Sequence, residues 1–394
     1  MSRRPIKAAL LQVHSVIGLA FALVLAVIGI TGAMMSFEDE IGAALNAGIM
    51  RVEARAAPTL TPDALVARLP AAPDFGKVSA VTLSSDPSVA ARIRFARSEG
   101  GSRPSSLYVD PYDGRLLGAP RGEEFFATVR KLHRWLLLPG DGKGIGREIT
   151  GVVTIALVVM LLTGLVLRWP RRVRSVKVWL KPNLAMRGRG LQWSLHSVAG
   201  TWVLPIYLVV ALTGLWYSFD WYKDGAVWLL GQPKTTQRPP RMAAGAPLAT
   251  PAPVTAPTFD GAWTVFLREQ GDRYATAQLT LPPQGAVVRV RSWPRDSWHD
   301  GGRDEFRIDA VSGRVVSAEI YRDKPLGERV LASMLDIHRG AILGWPGRLL
   351  FMLAAALMPL FTVTGFLLYL SRRRLRRAAD LPQSGGRRMT GRAA

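Results

Sequence analysis

The sequence predicts a membrane protein, mainly α: a four-helix transmembrane bundle built from two parallel repeats, with two small outer α+β modules. Three observations predict it. First, residues 8–37, 149–167, 191–219 and 349–371 contain no Asp, Glu, Lys or Arg. Each run, coiled as a helix, is long enough to cross a hydrocarbon core about 30 Å thick. Second, the runs match in pairs. His14-Ser15, Gly18, Thr31-Gly32 and Ser36-Phe37 recur at one constant offset as His196-Ser197, Gly200, Thr213-Gly214 and Ser218-Phe219. Gly146-Arg147, Thr163-Gly164 and Arg171-Arg172 recur at another as Gly347-Arg348, Thr364-Gly365 and Arg372-Arg373, preceded by His133-Arg134 and His338-Arg339. Third, the net charge of +22 is concentrated beside the apolar runs. Residues 3–7, 168–189 and 372–392 hold nineteen basic residues against one acid, Asp380. Such clusters anchor cytoplasmic helix ends, so no nucleic-acid partner is expected.

In order, 8–37 is the first transmembrane helix, twice as long as a secretory signal core and therefore retained. Residues 38–122 form the first module. Within it Thr61-Pro62-Asp63 opens a helix, 78–84 and 91–96 alternate as strands, and Asp113-Gly114 turns a hairpin. Residues 123–148 are an interfacial helix and loop; the helix is amphipathic to Leu138 and is broken by Pro139-Gly140. Helix two covers 149–169, a basic cytoplasmic loop 170–190 and helix three 191–219, which ends in Trp216, Tyr217, Trp221 and Tyr222. Residues 220–330 hold a linker over 232–257 and the second module, with a helix over 259–270, strands over 276–281 and 287–291, and a turn at Ser312-Gly313. A second interfacial segment covers 331–348, helix four 349–371 and a basic tail 372–394. Both termini are then cytoplasmic in a bacterial inner membrane, with the modules periplasmic.

Histidine inside a bilayer is costly and marks function. His14 and His196 fall near the inner ends of spans one and three, and His133 and His338 near the outer ends of spans two and four. Two pairs at two depths meet the need of two stacked b-type haems, each with an axial imidazole on both faces. Gly18 and Gly200, four residues after their histidines, leave room for a flat porphyrin. The Thr-Gly pairs are expected to serve helix packing. Propionates find candidate partners in Arg134, Arg147, Arg339 and Arg348 outside, and Lys7 and Arg189 inside. His299, without a counterpart in the first module, is expected at the surface. No cysteine is present, so disulfides, thiolate metal sites and covalent haem attachment are excluded. The two depths also separate the histidine pairs too far for a single copper centre.

The His-Ser-x-x-Gly openings of spans one and three, Leu132-His133-Arg134-Trp135, Leu167-Arg168-Trp169-Pro170 and Val109-Asp110-Pro111-Tyr112-Asp113-Gly114 resemble the PepSY-associated transmembrane family of bacterial inner-membrane proteins. That family includes iron-regulated members similar to di-haem ferric-siderophore reductases. The resemblance implies that His14, His133, His196 and His338 are haem ligands and that the outer modules are PepSY domains. Ile337-His338-Arg339-Gly340 departs from the first copy by lacking its tryptophan.

The expected function is a haem-dependent ferric-siderophore reductase. A cytoplasmic or quinol donor reduces the inner haem (His14/His196), the outer haem (His133/His338) follows, and a periplasmic ferric complex accepts the electron. No Gly-x-Gly-x-x-Gly fingerprint is present, so the donor is a separate molecule. The acceptor site is expected near Arg134, Trp135, Arg339 and Trp345, with Trp293 and Trp298 contributing. Two alternatives remain at this stage, a siderophore permease and a non-enzymatic PepSY-type regulator of a peptidase or sensor.

Overall fold

A computed structural model describes residues 3–70, 76–96, 105–170, 172–231 and 257–379. The expected linker and most of the basic tail lie outside these. The chain divides into two compact units, one of residues 1–33, 133–212 and 353–394, the other of 34–132 and 213–352.

Four helices are long and apolar enough to span a membrane. They are α1 (Arg3–Met35), α4 (Ile145–Arg168), α5 (Gly188–Ser218) and a broken fourth, α8 (Gly344–Ala356) continuing as α9 (Met358–Ala379). The break at Leu357 lies two residues before Pro359, which has no amide proton for the Ala355 carbonyl and whose ring crowds that carbonyl. Within the first unit all four helices contribute to one apolar cluster: Leu25, Val153, Val203, Tyr207, Ala354 and Met358. The Tyr207 hydroxyl donates to the Ala354 carbonyl at 2.7 Å, which satisfies its polar end. A side chain at Gly29 would meet Met358 Cβ at 2.4 Å and the Ala355 oxygen at 2.8 Å, so α1 and the fourth helix cross there with no room for a methyl group.

The second unit is built on one antiparallel sheet in the order β4-β3-β2-β1-β5-β6-β7-β8. The strands are β1 (Val78–Ser84), β2 (Ala91–Phe95), β3 (Ser106–Val109), β4 (Leu116–Gly118), β5 (Tyr274–Thr280), β6 (Val287–Pro294), β7 (Asp304–Asp309) and β8 (Arg314–Glu319). The two modules expected to be separate therefore share a sheet, joined where β1 pairs with β5 (Val81 opposite Leu279). They also share a core. Leu65 of α2 (Pro62–Ala67) and Phe266 of α6 (Phe259–Gln270) are fully buried with Val81, Ile93, Leu279, Val290 and Ile308. Four short strands bury too little apolar surface alone, and doubling the sheet closes the core.

The helices that cover this core cap one another. Asp63 accepts from the amides of Phe259 (3.2 Å) and Asp260 (2.8 Å), and Asp260 accepts from the Asp63 amide (2.9 Å) and the Thr61 hydroxyl (2.7 Å). Each carboxylate thus satisfies the open amides of the other helix. The expected turns occur as read: Gly114 and Gly313 adopt φ of 72° and 68°, and each donates its amide to the carbonyl of Asp110 or Asp309 at 2.9 Å.

Candidate functional site

All four histidines of the duplicated pattern are held in the same way. His14 Nδ1 lies 3.0 Å from the Thr163 hydroxyl, His133 Nδ1 3.0 Å from Thr31, His196 Nδ1 2.8 Å from Thr364 and His338 Nδ1 2.8 Å from Thr213. Three of these hydroxyls already donate to the carbonyl four residues back: Thr31 to Val27, Thr163 to Val159 and Thr364 to Leu360. A hydroxyl has one proton, so each must accept from the imidazole. His133 Nδ1 also lies 3.0 Å from the Ile28 carbonyl, which can only accept. In His14, His133 and His196 the ring proton therefore sits on Nδ1, and the Nε2 lone pair is left for a ligand. Burial pushes His133 down to about 4, which keeps this ring neutral near pH 7.

The threonines belong to the Thr-Gly pairs that the sequence suggested were packing elements. Their glycines have a further role. A Cβ at Gly32 would lie 3.2 Å from His133 Cε1, one at Gly164 3.3 Å from His14 Cε1, and one at Gly365 3.6 Å from His196 Cε1. The threonine holds the ring nitrogen while the glycine clears the adjoining carbon. At Gly18 and Gly200, expected to clear a porphyrin, an added Cβ would lie 3.3 Å from Met160 Cε and 3.7 Å from Phe361 Cε1. The recurrence of Thr-Gly in all four spans was the available signal, and its spacing carried no indication of the imidazole contact.

The rings of His14 and His196 lie with centroids 6.3 Å apart and planes at 80°. Two nitrogens bound to opposite sides of one metal, each at about 2 Å, set imidazole centroids about 6 Å apart, and the spacing of this pair matches that value. Two nitrogens alone leave the other coordination positions to a group that brings its own ligands, as a porphyrin does. Arg372 donates to the Ser15 hydroxyl at 3.1 Å, one residue from His14. It had been assigned only as an anchor. Lys7 and Arg189, the cations expected at that end, are exposed. His133 falls in the first unit and His338 in the second.

The candidate arginines have separate duties. Arg348 grips Glu40 through both carboxylate oxygens (2.5 and 2.7 Å) and donates to the Ser36 carbonyl, so it is committed to a structural clamp. Arg339 donates to the Met35 carbonyl at 3.2 Å and lies 3.6 Å from Asp39. Arg134 stacks over Trp135 at 4.8 Å. Helix α3 (Glu123–Trp135) ends three residues before the expected Leu138. Leu136 and Leu137 take φ of 56° and 59°, a strained conformation for bulky residues. They turn the chain so that Trp135 meets Gly146, where a Cβ would lie 2.1 Å from the Trp135 oxygen. In the second copy Gly340 itself takes the positive φ, 72°. The missing tryptophan is thus explained by a turn that needs glycine at that place.

His299 is not at the surface. Its side chain is 3% exposed, and Nδ1 lies 3.0 Å from Asp336 Oδ2, itself 4% exposed. The same oxygen accepts from the Gly301 amide at 2.7 Å. Asp336 and His338 share the five-residue helix α7 (Met334–His338), so His299 ties the β6–β7 loop to the helix that carries a candidate ligand. Trp298 and Trp345 are exposed, at 69% and 61%. The Trp298 indole donates to the Ile342 carbonyl at 3.3 Å, and Trp293 donates to the Asp300 carbonyl at 3.1 Å.

Comparison with curated proteins finds no match. A family described as the PepSY-associated TM region matches residues 11–372. Because that match takes in all four spans, every histidine of the repeated pattern and all eight strands, the chain belongs to the PepSY-associated transmembrane family.

Proposed function

We propose that this chain is a di-haem, b-type electron-transfer protein of the bacterial inner membrane that reduces a periplasmic ferric siderophore or similar ferric chelate. Its termini are cytoplasmic and its sheet-forming segments periplasmic, as the basic clusters require. The chain is read as two copies of one unit, each tied internally by reciprocal histidine–threonine contacts. His14 and His196 would hold one haem, and His133 and His338 the other. A b-type haem ligated by two histidines supplies one-electron transfer.

The residues supply the rest. Thr31, Thr163 and Thr364 hold His133, His14 and His196 through Nδ1 and leave Nε2 to act as the ligand atom, Thr213 contacts His338 Nδ1, and Gly32, Gly164 and Gly365 clear the ring edges. Arg372 would meet a propionate beside His14, and the apolar spans keep water from the ligands. The donor is a quinol or a cytoplasmic reductant. Reduction of the substrate iron to Fe(II) lowers its charge and weakens hard oxygen ligands, so iron is released without hydrolysis.

The observation that carries this reading is the spacing of the His14 and His196 rings at 6.3 Å, with both Nδ1 atoms occupied by threonine. The test is a reduced-minus-oxidised visible spectrum of the purified protein with a haem count per chain. The reduced protein is then mixed with a ferric chelate. Two haems, and reoxidation by the chelate, are expected. A colourless preparation from cells supplied with haem precursor ends the reading.

A further inference from the structure

The sheet carries a cationic frame on the face turned away from its apolar core, and none of the chemistry above uses it. Register fixes its layout. Arg92 on β2 lies beside Thr82 on β1, then Gln278 on β5, then Arg291 on β6. In the neighbouring row, Arg94 lies beside Ala80, then Thr280, then Arg289. Between the rows run Ile93, Val81, Leu279 and Val290, all fully buried in the core. Side chains alternate along a strand, so the four arginines share the opposite face. Four strands at about 4.8 Å separation place the arginine backbones about 14 Å apart, across a floor of Ala80, Thr82, Gln278 and Thr280.

Two of the four are neutralised. Arg92 pairs with Glu123, and Arg291 with Glu305 at 3.2 Å. The second row continues past Arg289 to Arg307 on β7, which lies 3.7 Å from Glu305; Arg94 and Arg289 have no ion pair among the described residues, and Arg289 Nε is buried without a hydrogen-bond partner. Arg94 is exposed and Arg289 half-buried; at Arg289, burial and the like charges of Arg291 and Arg307 push the guanidinium below the usual arginine range, and Glu305 opposes this. A half-buried charge without a counter-ion, as at Arg289, costs stability. A row of one sign also raises the local concentration of anions.

We propose that the row from Arg94 to Arg289 is a binding site for a small polyanion, an iron chelate with negatively charged carboxylate or catecholate oxygens. That the ligand carries iron rests on the function proposed above; that it is anionic and about a nanometre wide rests on the register and the unpaired guanidiniums. The floor offers no large apolar side chain to enter a bilayer, so an anionic lipid surface is not the occupant.

The test uses the full chain in detergent and gallium(III) citrate, an anionic oxygen chelate that cannot be reduced, so binding is read without electron transfer. Calorimetric titration is expected to detect binding that weakens with added salt. The double variant Arg94→Gln/Arg289→Gln is expected to lose affinity at least tenfold, while Arg51→Gln, at the exposed Arg51–Asp86 pair, binds as the parent does. Removing uncompensated charge is expected to leave the melting temperature unchanged or raised. Absence of binding by the parent, undiminished binding by the double variant, or a lower melting temperature for it overturns the proposal. Haem is counted on the same samples. Colourless protein that binds gallium citrate removes the electron-transfer reading and keeps this site, whereas di-haem protein that fails to bind removes only the site.

Discussion

At the scale of single residues, the threonines decide what the histidines can do. A neutral imidazole has one donor and one acceptor, and assigning the proton to Nδ1 is what makes Nε2 a ligand. The four contacts differ in how well they are backed up. His133 Nδ1 has both Thr31 and the Ile28 carbonyl within 3.0 Å, whereas Thr364 is the hydrogen-bond partner recorded for His196. Thr364→Val is therefore expected to strand a buried N–H, at about 1 to 3 kcal/mol, and to shift one haem midpoint potential. Thr31→Val is expected to change far less. Equal shifts in a spectroscopic redox titration of the two variants would contradict this ranking. His299 makes the opposite kind of contact, to a buried carboxylate. His299→Ala leaves Asp336 in the interior with the Gly301 amide as its remaining partner. A loss on the order of 3 kcal/mol follows, measurable as a fall in melting temperature, with the spectrum of the haem proposed at His338 more disturbed than that of the haem proposed at His14. Neither role is legible in sequence. Thr-Gly in an apolar run reads as a packing pair, and Trp298-His299-Asp300 reads as surface because its partner lies 37 positions later.

At the scale of elements, most boundaries were legible because local signals agree. The helix over Phe259–Gln270 and the strand over Val78–Ser84 match their expected limits, one through its Thr258 cap and the other through alternation. The ends that differ do so for tertiary reasons: α3 stops at Trp135 because the chain must turn into α4, and it does so through two left-handed leucines. The reciprocal capping of α2 and α6 is another non-local feature. Each of Asp63→Ala and Asp260→Ala uncaps the partner helix and is expected to cost about 1 to 2 kcal/mol. Since Asp63 and Asp260 serve one junction, the double variant is expected to cost less than the sum of the singles. Chemical denaturation of the four proteins measures the coupling, and strict additivity would show that the two caps act independently.

At the scale of the whole molecule, the arrangement of ligands makes a prediction that no single contact makes. Each histidine is tethered to a threonine of its own half, whereas His14 and His196 come from different halves and lie with ring centroids 6.3 Å apart. His14→Ala and His196→Ala are therefore expected to lose the same haem and to leave indistinguishable spectra, each with about half the haem of the parent. Different residual spectra would mean that the two imidazoles serve different irons. The sequence by itself determined the four spans, the duplicated histidine pattern and the strands, since charge exclusion from hydrocarbon and period-two alternation are written into neighbouring residues. Only the tertiary structure decided that two modules share one sheet and core, that Thr-Gly pairs seat the imidazoles, and that four arginines frame one floor. Those facts depend on contacts between residues far apart in the chain, and no local spacing encodes which distant surface a side chain will meet.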